Sequence, residues 1–283
     1  MPAGLGINDV HLSRTRALVF PSERFDWNIL LVPLVTAACV GFLRGNGLLQ
    51  FIQFLTAALA LFWMSTPLKV LLGSTMRAHT AEERKIVWQA TFIIFLFAAL
   101  PLYLLFRNGR NYGLLSIGSI AGTAFATQAC VKLFGRKMRM HAQMIGAIGL
   151  TSTAAGAYYV TAGRLDSLAF ALWAANWFFA CDQICYIQLR LRNSKVAGRR
   201  NRFSRGWAFS VLEILMLVAV ACLSLASYLP AFAVIAFVPT VARGVAWVFQ
   251  KPETLDVQWL GLTELLHSIT FGVLLLTSFY IPR

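Results

Sequence analysis

Five ionisable side chains within strongly apolar stretches are the residues through which this sequence could do chemistry. They are Asp182, Glu213, Arg243, Glu264 and His267. Each lies in a run of apolar residues long enough to form a membrane helix. An ionised group in such a helix is expensive to bury and is therefore a candidate for function.

The spacing of these residues allows two kinds of site. Glu264 and His267 are three residues apart and so share one side of a helix, and Arg243 lies one loop upstream. One interpretation is a buried Arg243–Glu264 ion pair that joins two helices. The other is half of a carboxylate metal site, completed by Glu213 or Asp182. Helical di-metal centres use two Glu-x-x-His units, and this chain has one, so the spacing favours the ion pair and no metal is predicted.

A basic stretch follows Asp182 by about two helical turns. Residues 190–205 contain seven Lys or Arg residues and no acid. Such a stretch orients a membrane protein and attracts anionic headgroups, each charge contributing about 1 kcal/mol near the surface. It could instead form a specific phosphate clamp at the mouth of a cavity, with Asp182 as the candidate catalytic residue. The predicted phosphate-binding residues are Arg190, Arg192, Arg199 and Arg200.

The elements that must position these residues are membrane helices. The chain has 283 residues, of which 58% are hydrophobic and 13% charged. Ordinary globular chains are about 45–50% apolar and about 25% charged, which excludes a cytosolic α/β enzyme and a disordered chain. Nine apolar segments are evident, at 29–43, 48–72, 86–106, 112–134, 142–162, 166–189, 207–227, 229–249 and 259–281. We therefore expect an all-α polytopic membrane protein with about nine transmembrane helices in one bundle.

The predicted organisation is a tail at 1–28 and a single transmembrane domain at 29–283, with a basic loop at 190–205. Segment 29–43 is the least suited of the nine to cross the membrane, because it is short and contains Pro33. On segment 112–134, Gly118 and Gly122 form a GxxxG pair. Such spacing predicts close packing of helices within the molecule rather than a homodimer contact.

The distribution of basic residues predicts the orientation. The net charge is +14, a value that in a soluble protein would suggest nucleic-acid binding. The tail, alternate gaps between the nine segments and the segment ends beside them hold 20 of the 25 Lys and Arg residues, and the other gaps hold 5. Positive charge is retained on the cytoplasmic side. We therefore expect a cytoplasmic N-terminus, an external C-terminus and no nucleic-acid partner.

Three stretches of the chain resemble the YwiC-like family of bacterial membrane proteins. Residues 21–27 read P-S-E-R-F-D-W and lead into an L-L-V-P helix. Residues 172–192 form an aromatic helix that ends in R-L-R. Residues 239–247 read P-T-V-A-R-G-V-A-W and are followed by Leu260-Gly-Leu-Thr-Glu264. The chain departs from the family at Arg24, Phe25 and Asp26, where the family has His, Gly and Ala. The resemblance spans nearly the whole chain and implies a location in the bacterial cytoplasmic membrane.

That family is in turn distantly similar to the UbiA prenyltransferase superfamily. The resemblance implies a nine-helix bundle with a cavity open to the cytoplasm, in which two Asp-rich stretches hold Mg²⁺ on a prenyl diphosphate. Here the first stretch, 65–77, has no carboxylate, and the second, 182–193, keeps only Asp182. Leu189 and Asn193 stand at the following Asp positions. The resemblance therefore implies a UbiA-like bundle without its metal-binding motifs.

These features lead to two functional expectations. The first is a protein that binds an isoprenoid, a quinone or a lipid, or that serves as an accessory subunit of a membrane complex. The alternative is an intramembrane transferase acting on an anionic prenyl lipid, with Asp182 and the basic stretch carrying the reaction. The expected partners are membrane lipids, anionic headgroups at the cytoplasmic face and membrane-protein subunits. No cofactor is indicated by the sequence.

Overall fold

The described part of the chain is helical throughout. The computed structural model describes residues 24–71, 81–109, 111–135, 138–193, 199–249 and 256–281, and no strand occurs in these ranges. The α-helices are α1 (Arg24–Phe42), α2 (Leu48–Leu71), α3 (Ala81–Arg107), α4 (Asn111–Leu133), α5 (Arg139–Thr151), α6 (Thr153–Ala162), α7 (Ser167–Asn193), α8 (Arg199–Leu225), α9 (Val238–Phe249) and α10 (Val257–Thr277). A 3-10 helix, Ala231–Phe237, leads directly into α9.

The predicted all-α class is confirmed for these residues. Nine helical segments correspond to the nine predicted ones, and seven are long and apolar enough to cross a membrane. The apolar part of α1, Trp27–Phe42, is shorter than those seven. Helix α1 begins at Arg24, inside the stretch predicted as a tail, and residues 1–23 of that tail lie outside the described residues.

The chain divides into two compact units, 1–24 with 49–111 and 25–48 with 112–283. The described helices of the first unit are α2 and α3. Of the second unit's helices that are long enough to cross a membrane, α7 is the most enclosed, with 72% of its most apolar stretch buried. It packs against α5, α6 and α8, while α9 packs against α8 and α10. The polar residues buried in α7, among them Asp182 and Gln183, therefore need partners from the helices around it.

Asp166 fixes the N-terminal end of α7, which begins at Ser167. The Asp166 Oδ1 atom accepts a hydrogen bond from the Ala169 backbone N–H at 3.2 Å, as a helix cap does. Its Oδ2 atom accepts from the Tyr158 hydroxyl at 3.1 Å and pairs with Arg164 Nε at 3.1 Å. This single acid therefore joins the ends of α6 and α7.

The predicted segment 142–162 is interrupted at Ser152, between α5 and α6. Three successive hydroxyl groups donate to carbonyl groups one turn back: Thr151 to Ala147 at 2.7 Å, Ser152 to Gly149 at 2.7 Å and Thr153 to Leu150 at 2.6 Å. Hydroxyl groups that bond in this way bend helices. The Trp173 indole N–H on α7 donates to the Ile148 carbonyl at 3.2 Å, so the bend is held by a neighbouring helix.

The predicted close packing at Gly118 and Gly122 is wrong. A methyl group added at either glycine would meet no heavy atom of the described chain within 4 Å. Helix α4 instead turns Ala121 towards α5, where a methyl group added at Gly149 would lie 3.2 Å from the Ala121 carbonyl oxygen. The small residues of α5 therefore make the close approach, and the GxxxG pair lies on another side of α4.

The turn between α1 and α2 passes directly over the end of α6. The Gly47 N–H donates to the Thr161 carbonyl at 3.2 Å. A Cβ atom added at Gly47 would lie 2.3 Å from the Val160 carbonyl oxygen and 2.9 Å from the Thr161 Cα atom. Only a residue without a side chain fits this approach, because the neighbouring atoms belong to the backbone.

The predicted basic loop at 190–205 is largely helical. Arg190 and Arg192 lie in the last turn of α7, and α8 begins at Arg199. Residues 194–198 between them lie outside the described residues. Arginine is a good helix former and is favoured near helix C-termini, which explains the extension of α7 into the basic stretch. Most of the positive charge is thus carried on helix ends.

Helix α8 ends in a tight turn in which Ser227 has a φ of 62°, a conformation suited to glycine. The Tyr228 N–H donates to the Leu223 carbonyl at 3.0 Å and the Ser227 N–H to that of Ser224 at 3.0 Å, the pattern of a Schellman cap. We expect Ser227→Gly to stabilise the protein by about 1 kcal/mol, measured by denaturant titration in detergent micelles. Ser210→Gly, inside α8, is the control and should destabilise by about 0.5 kcal/mol. Loss of stability in Ser227→Gly would contradict this assignment.

Candidate functional site

Three helices of the second unit bring their charged residues together around one guanidinium group. Arg243 on α9 pairs through Nη2 with Asp182 Oδ2 on α7 and through Nη1 with Glu264 Oε2 on α10, the latter at 2.5 Å. The side chains of Arg243, Asp182 and Glu264 are 6%, 3% and 0% exposed. The predicted Arg243–Glu264 ion pair is confirmed, and Asp182 is a second partner. We call these three residues the ionic cluster.

Neutral polar groups hold the Glu264 side of the ionic cluster in place. The Gln183 Nε2 atom donates to Ser268 Oγ at 2.7 Å and to the Glu264 carbonyl at 3.0 Å. A longer bond of 3.3 Å joins the same nitrogen to Glu264 Oε2. Sequence reasoning did not assign Gln183 or Ser268 to the site, although their polarity within apolar helices was a usable signal.

An aromatic ring packs against one face of the Arg243 guanidinium group. The Arg243 Cζ atom lies 4.1 Å from the centroid of the Tyr186 ring, a cation–π geometry. Tyr186 lies one turn beyond Asp182 on α7, and Arg190 lies one further turn along on the same side of the helix. One side of α7 therefore connects the ionic cluster to the basic end of the helix.

Glu213 on α8 lies beside the ionic cluster without joining its ion pairs. Its carboxylate is buried against the backbone of Gly244, the residue after Arg243. A Cβ atom added at Gly244 would lie 2.2 Å from Glu213 Oε1, so a larger residue at this position would displace the carboxylate. The Oε1 atom has no hydrogen-bond partner among the described residues.

The fifth candidate, His267, is not part of this arrangement. Its Nδ1 atom lies 2.7 Å from the Thr263 carbonyl on its own helix. The structure therefore brings Asp182, Glu213, Arg243 and Glu264 together and leaves His267 apart. Within the described ranges, no three His, Cys, Asp or Glu side chains are placed to hold a metal ion.

Aromatic side chains enclose the ionic cluster at both ends along α7. One turn towards Ser167, Phe179 stacks on Phe271 at a centroid distance of 4.0 Å, and Phe237 meets Phe271 edge-on at 5.2 Å. At the other end, Tyr186 packs in a hydrophobic core cluster with Phe209 and Trp247. Charged groups enclosed in this way interact strongly because the local dielectric is low.

The predicted phosphate-binding residues lie at the basic helix ends. Arg190 is half-buried and Arg192 is exposed at the end of α7. Arg199 and Arg200 form the first turn of α8, and their side chains lie outside the described part of the chain. Phe203 and Trp207 are exposed on α8, close in sequence to these arginines. The Asp182 carboxylate is not free beside these arginines, because it is paired with Arg243.

Known proteins provide no further guide to this site. Comparison of the chain with protein-family models, with curated proteins and with solved structures finds no match. The similarity to YwiC-like and UbiA proteins thus stays a prediction from the quoted motifs.

Proposed function

We propose that this is an integral membrane protein with a UbiA-like helical bundle that binds an anionic lipid, isoprenoid or phospholipid, without transferring it. The binding region is the basic end formed by α7 and α8, on the cytoplasmic side of the membrane. The ionic cluster serves to hold α7, α9 and α10 together.

The pairing of Asp182 is the observation that carries this proposal. A metal-dependent prenyltransferase needs carboxylates that are free to hold the ion on the leaving diphosphate. Asp182 is the only acid in 182–193, it is 2% exposed, and Arg243 already bonds it. Both terminal nitrogens of Arg243 are likewise bonded to carboxylates. Neither residue is therefore available to a phosphate group.

The exposed side chains at the basic end suit an anionic headgroup. Arg192 is exposed beside Leu191, which is itself 45% exposed. Phe203 and Trp207 on α8 are 63% and 59% exposed. Basic residues attract anionic headgroups, and amphipathic aromatic rings settle at headgroup level. An apolar tail can then lie along the exposed apolar side of α8.

Lipid binding by the purified protein in detergent tests the proposal. Two probes separate the lipid classes: phosphatidylglycerol and farnesyl diphosphate, each titrated and followed by native mass spectrometry. We expect the wild type to bind one of these two probes. The double variant Arg190→Gln/Arg192→Gln should bind that probe roughly 30-fold more weakly than the wild type at low salt, because two charges are removed. The control, Arg107→Gln at the exposed end of α3, should bind as the wild type does. Equal affinity of all three proteins, or conversion of farnesyl diphosphate into a product, would contradict the proposal, and conversion would favour the transferase.

A further inference from the structure

The buried acids beside Arg243 outnumber the available positive charge. Asp182, Glu213 and Glu264 are 2%, 5% and 0% exposed, and Arg243 is the cation that they surround. If all four groups were ionised, the site would carry a net charge of −2. Uncompensated charge is not tolerated in a low-dielectric interior, and buried acids become neutral instead. At least one of these acids is therefore expected to bind a cation.

The geometry identifies Glu213 as that acid. Asp182 and Glu264 each have an oxygen bonded to the guanidinium group, which compensates their negative charge. Glu213 Oε1 has no hydrogen-bond partner among the described residues, and neither Glu213 oxygen belongs to an ion pair there. Glu264 Oε1 also lacks a partner, but the other oxygen of that carboxylate is paired with Arg243. A bound proton removes the unpaired charge of Glu213.

The surroundings of Glu213 favour a proton over a metal ion. Its two oxygens would lie 2.2 and 2.5 Å from a Cβ atom added at Gly244, so they are pressed against the backbone. Metal ions such as Mg²⁺ need a full shell of oxygen ligands, and no three His, Cys, Asp or Glu side chains of the described residues are grouped to supply one. A proton requires a single oxygen atom.

The titratable groups around Glu213 come from α7, α9 and α10. Helix α7 presents Asp182, Cys185 and Tyr186, and α9 presents Arg243. Glu264 contributes from α10 through its ion pair, and the 3-10 helix Ala231–Phe237 contains no titratable side chain. Tyr186 lies against Arg243, and Arg190 follows one turn along the same side of α7 at its half-buried end, so polar side chains extend from the site towards solvent.

We propose that Glu213 is an occluded proton-binding site, which holds one proton at neutral pH and exchanges it towards the basic end of α7 past Tyr186. This inference is independent of lipid binding, because it concerns buried residues that no headgroup reaches. The proton moves between the Glu213 carboxylate and solvent, so the site changes charge by one on each exchange.

Infrared spectroscopy of the reconstituted protein tests the proposal. At neutral pH we expect a carbonyl stretch of a protonated carboxylic acid, shifted by exchange into deuterated water, and its complete loss in Glu213→Gln. The matched control is Glu83→Gln, which removes a buried glutamate of the other unit and should leave the band unchanged. Tyr186→Phe should keep the band and slow its deuterium exchange at least tenfold.

Absence of the band from the wild type, or its persistence in Glu213→Gln, would overturn the assignment. Gly244→Ala provides a second test that does not require Glu213→Gln to fold, because the added methyl group must displace the Glu213 carboxyl group. A shift in the frequency of the band in Gly244→Ala supports the proposal, and an unchanged frequency contradicts it.

Discussion

Replacing Arg243 with methionine is expected to destabilise the protein by about 3–5 kcal/mol. Methionine keeps much of the apolar stem but removes the guanidinium group, which leaves Asp182 and Glu264 buried without their cation. Removing one partner of a buried ionic network is more harmful than removing the whole network, because the remaining charge has no compensation. Equilibrium unfolding by denaturant in detergent micelles measures the change.

Two further variants distinguish this explanation from loss of packing. The triple variant Arg243→Met/Asp182→Asn/Glu264→Gln removes every charge of the ionic cluster and should regain most of the lost stability. The control, Arg164→Met, breaks a pair whose arginine is 60% exposed and should change stability by less than about 1 kcal/mol. If the triple variant is no more stable than Arg243→Met, the loss does not come from unpaired charge.

Substitution of Gly47 by alanine is expected to produce the second large loss, about 1–3 kcal/mol. The new methyl group would lie 2.3 Å from the Val160 carbonyl oxygen, and backbone atoms cannot rotate away as a side chain can. Relief requires the turn to move off α6, which also lengthens the hydrogen bond from Gly47 to Thr161. The same unfolding titration measures the effect.

Gly118→Ala is the matched control for this substitution, because a methyl group there meets open space within the described structure. It should stabilise α4 by about 0.5–1 kcal/mol, the usual difference between alanine and glycine inside a helix. Equal effects of the two substitutions would show that the approach of Gly47 to α6 is not a tight contact.

The helices could be predicted from the sequence because hydropathy depends on residue type alone. Nine apolar segments were identifiable, and each contains a helix in the described residues. The bend at Ser152 could not be predicted, because serine and threonine lie in many unbent helices and only Trp173 from α7 shows that this one is held. The density of charge alone predicts a loop for the basic stretch, whereas the helix propensity of arginine extends α7 into it.

The site was predictable in its charged residues and not in its neutral ones. Asp182, Glu213, Arg243 and Glu264 were identifiable because charge is costly in an apolar segment. The choice of partners depends on which side of each helix faces its neighbour, and spacing within one helix does not supply that information. His267 shows the limit, since it lies three residues from Glu264 and yet contacts its own helix. Gln183 and Tyr186 gain their importance only from residues on other helices.

The short first helix has a consequence for the surrounding lipid. The apolar part of α1 has 16 residues, Trp27–Phe42, and therefore extends about 24 Å, whereas a typical hydrocarbon core is about 30 Å thick. Val35 is 49% exposed, so acyl chains can reach this helix. Hydrophobic mismatch of this kind is relieved by local thinning of the bilayer. We expect lipids with shorter acyl chains to gather beside α1, and the protein to partition into the thinner regions of a mixed membrane.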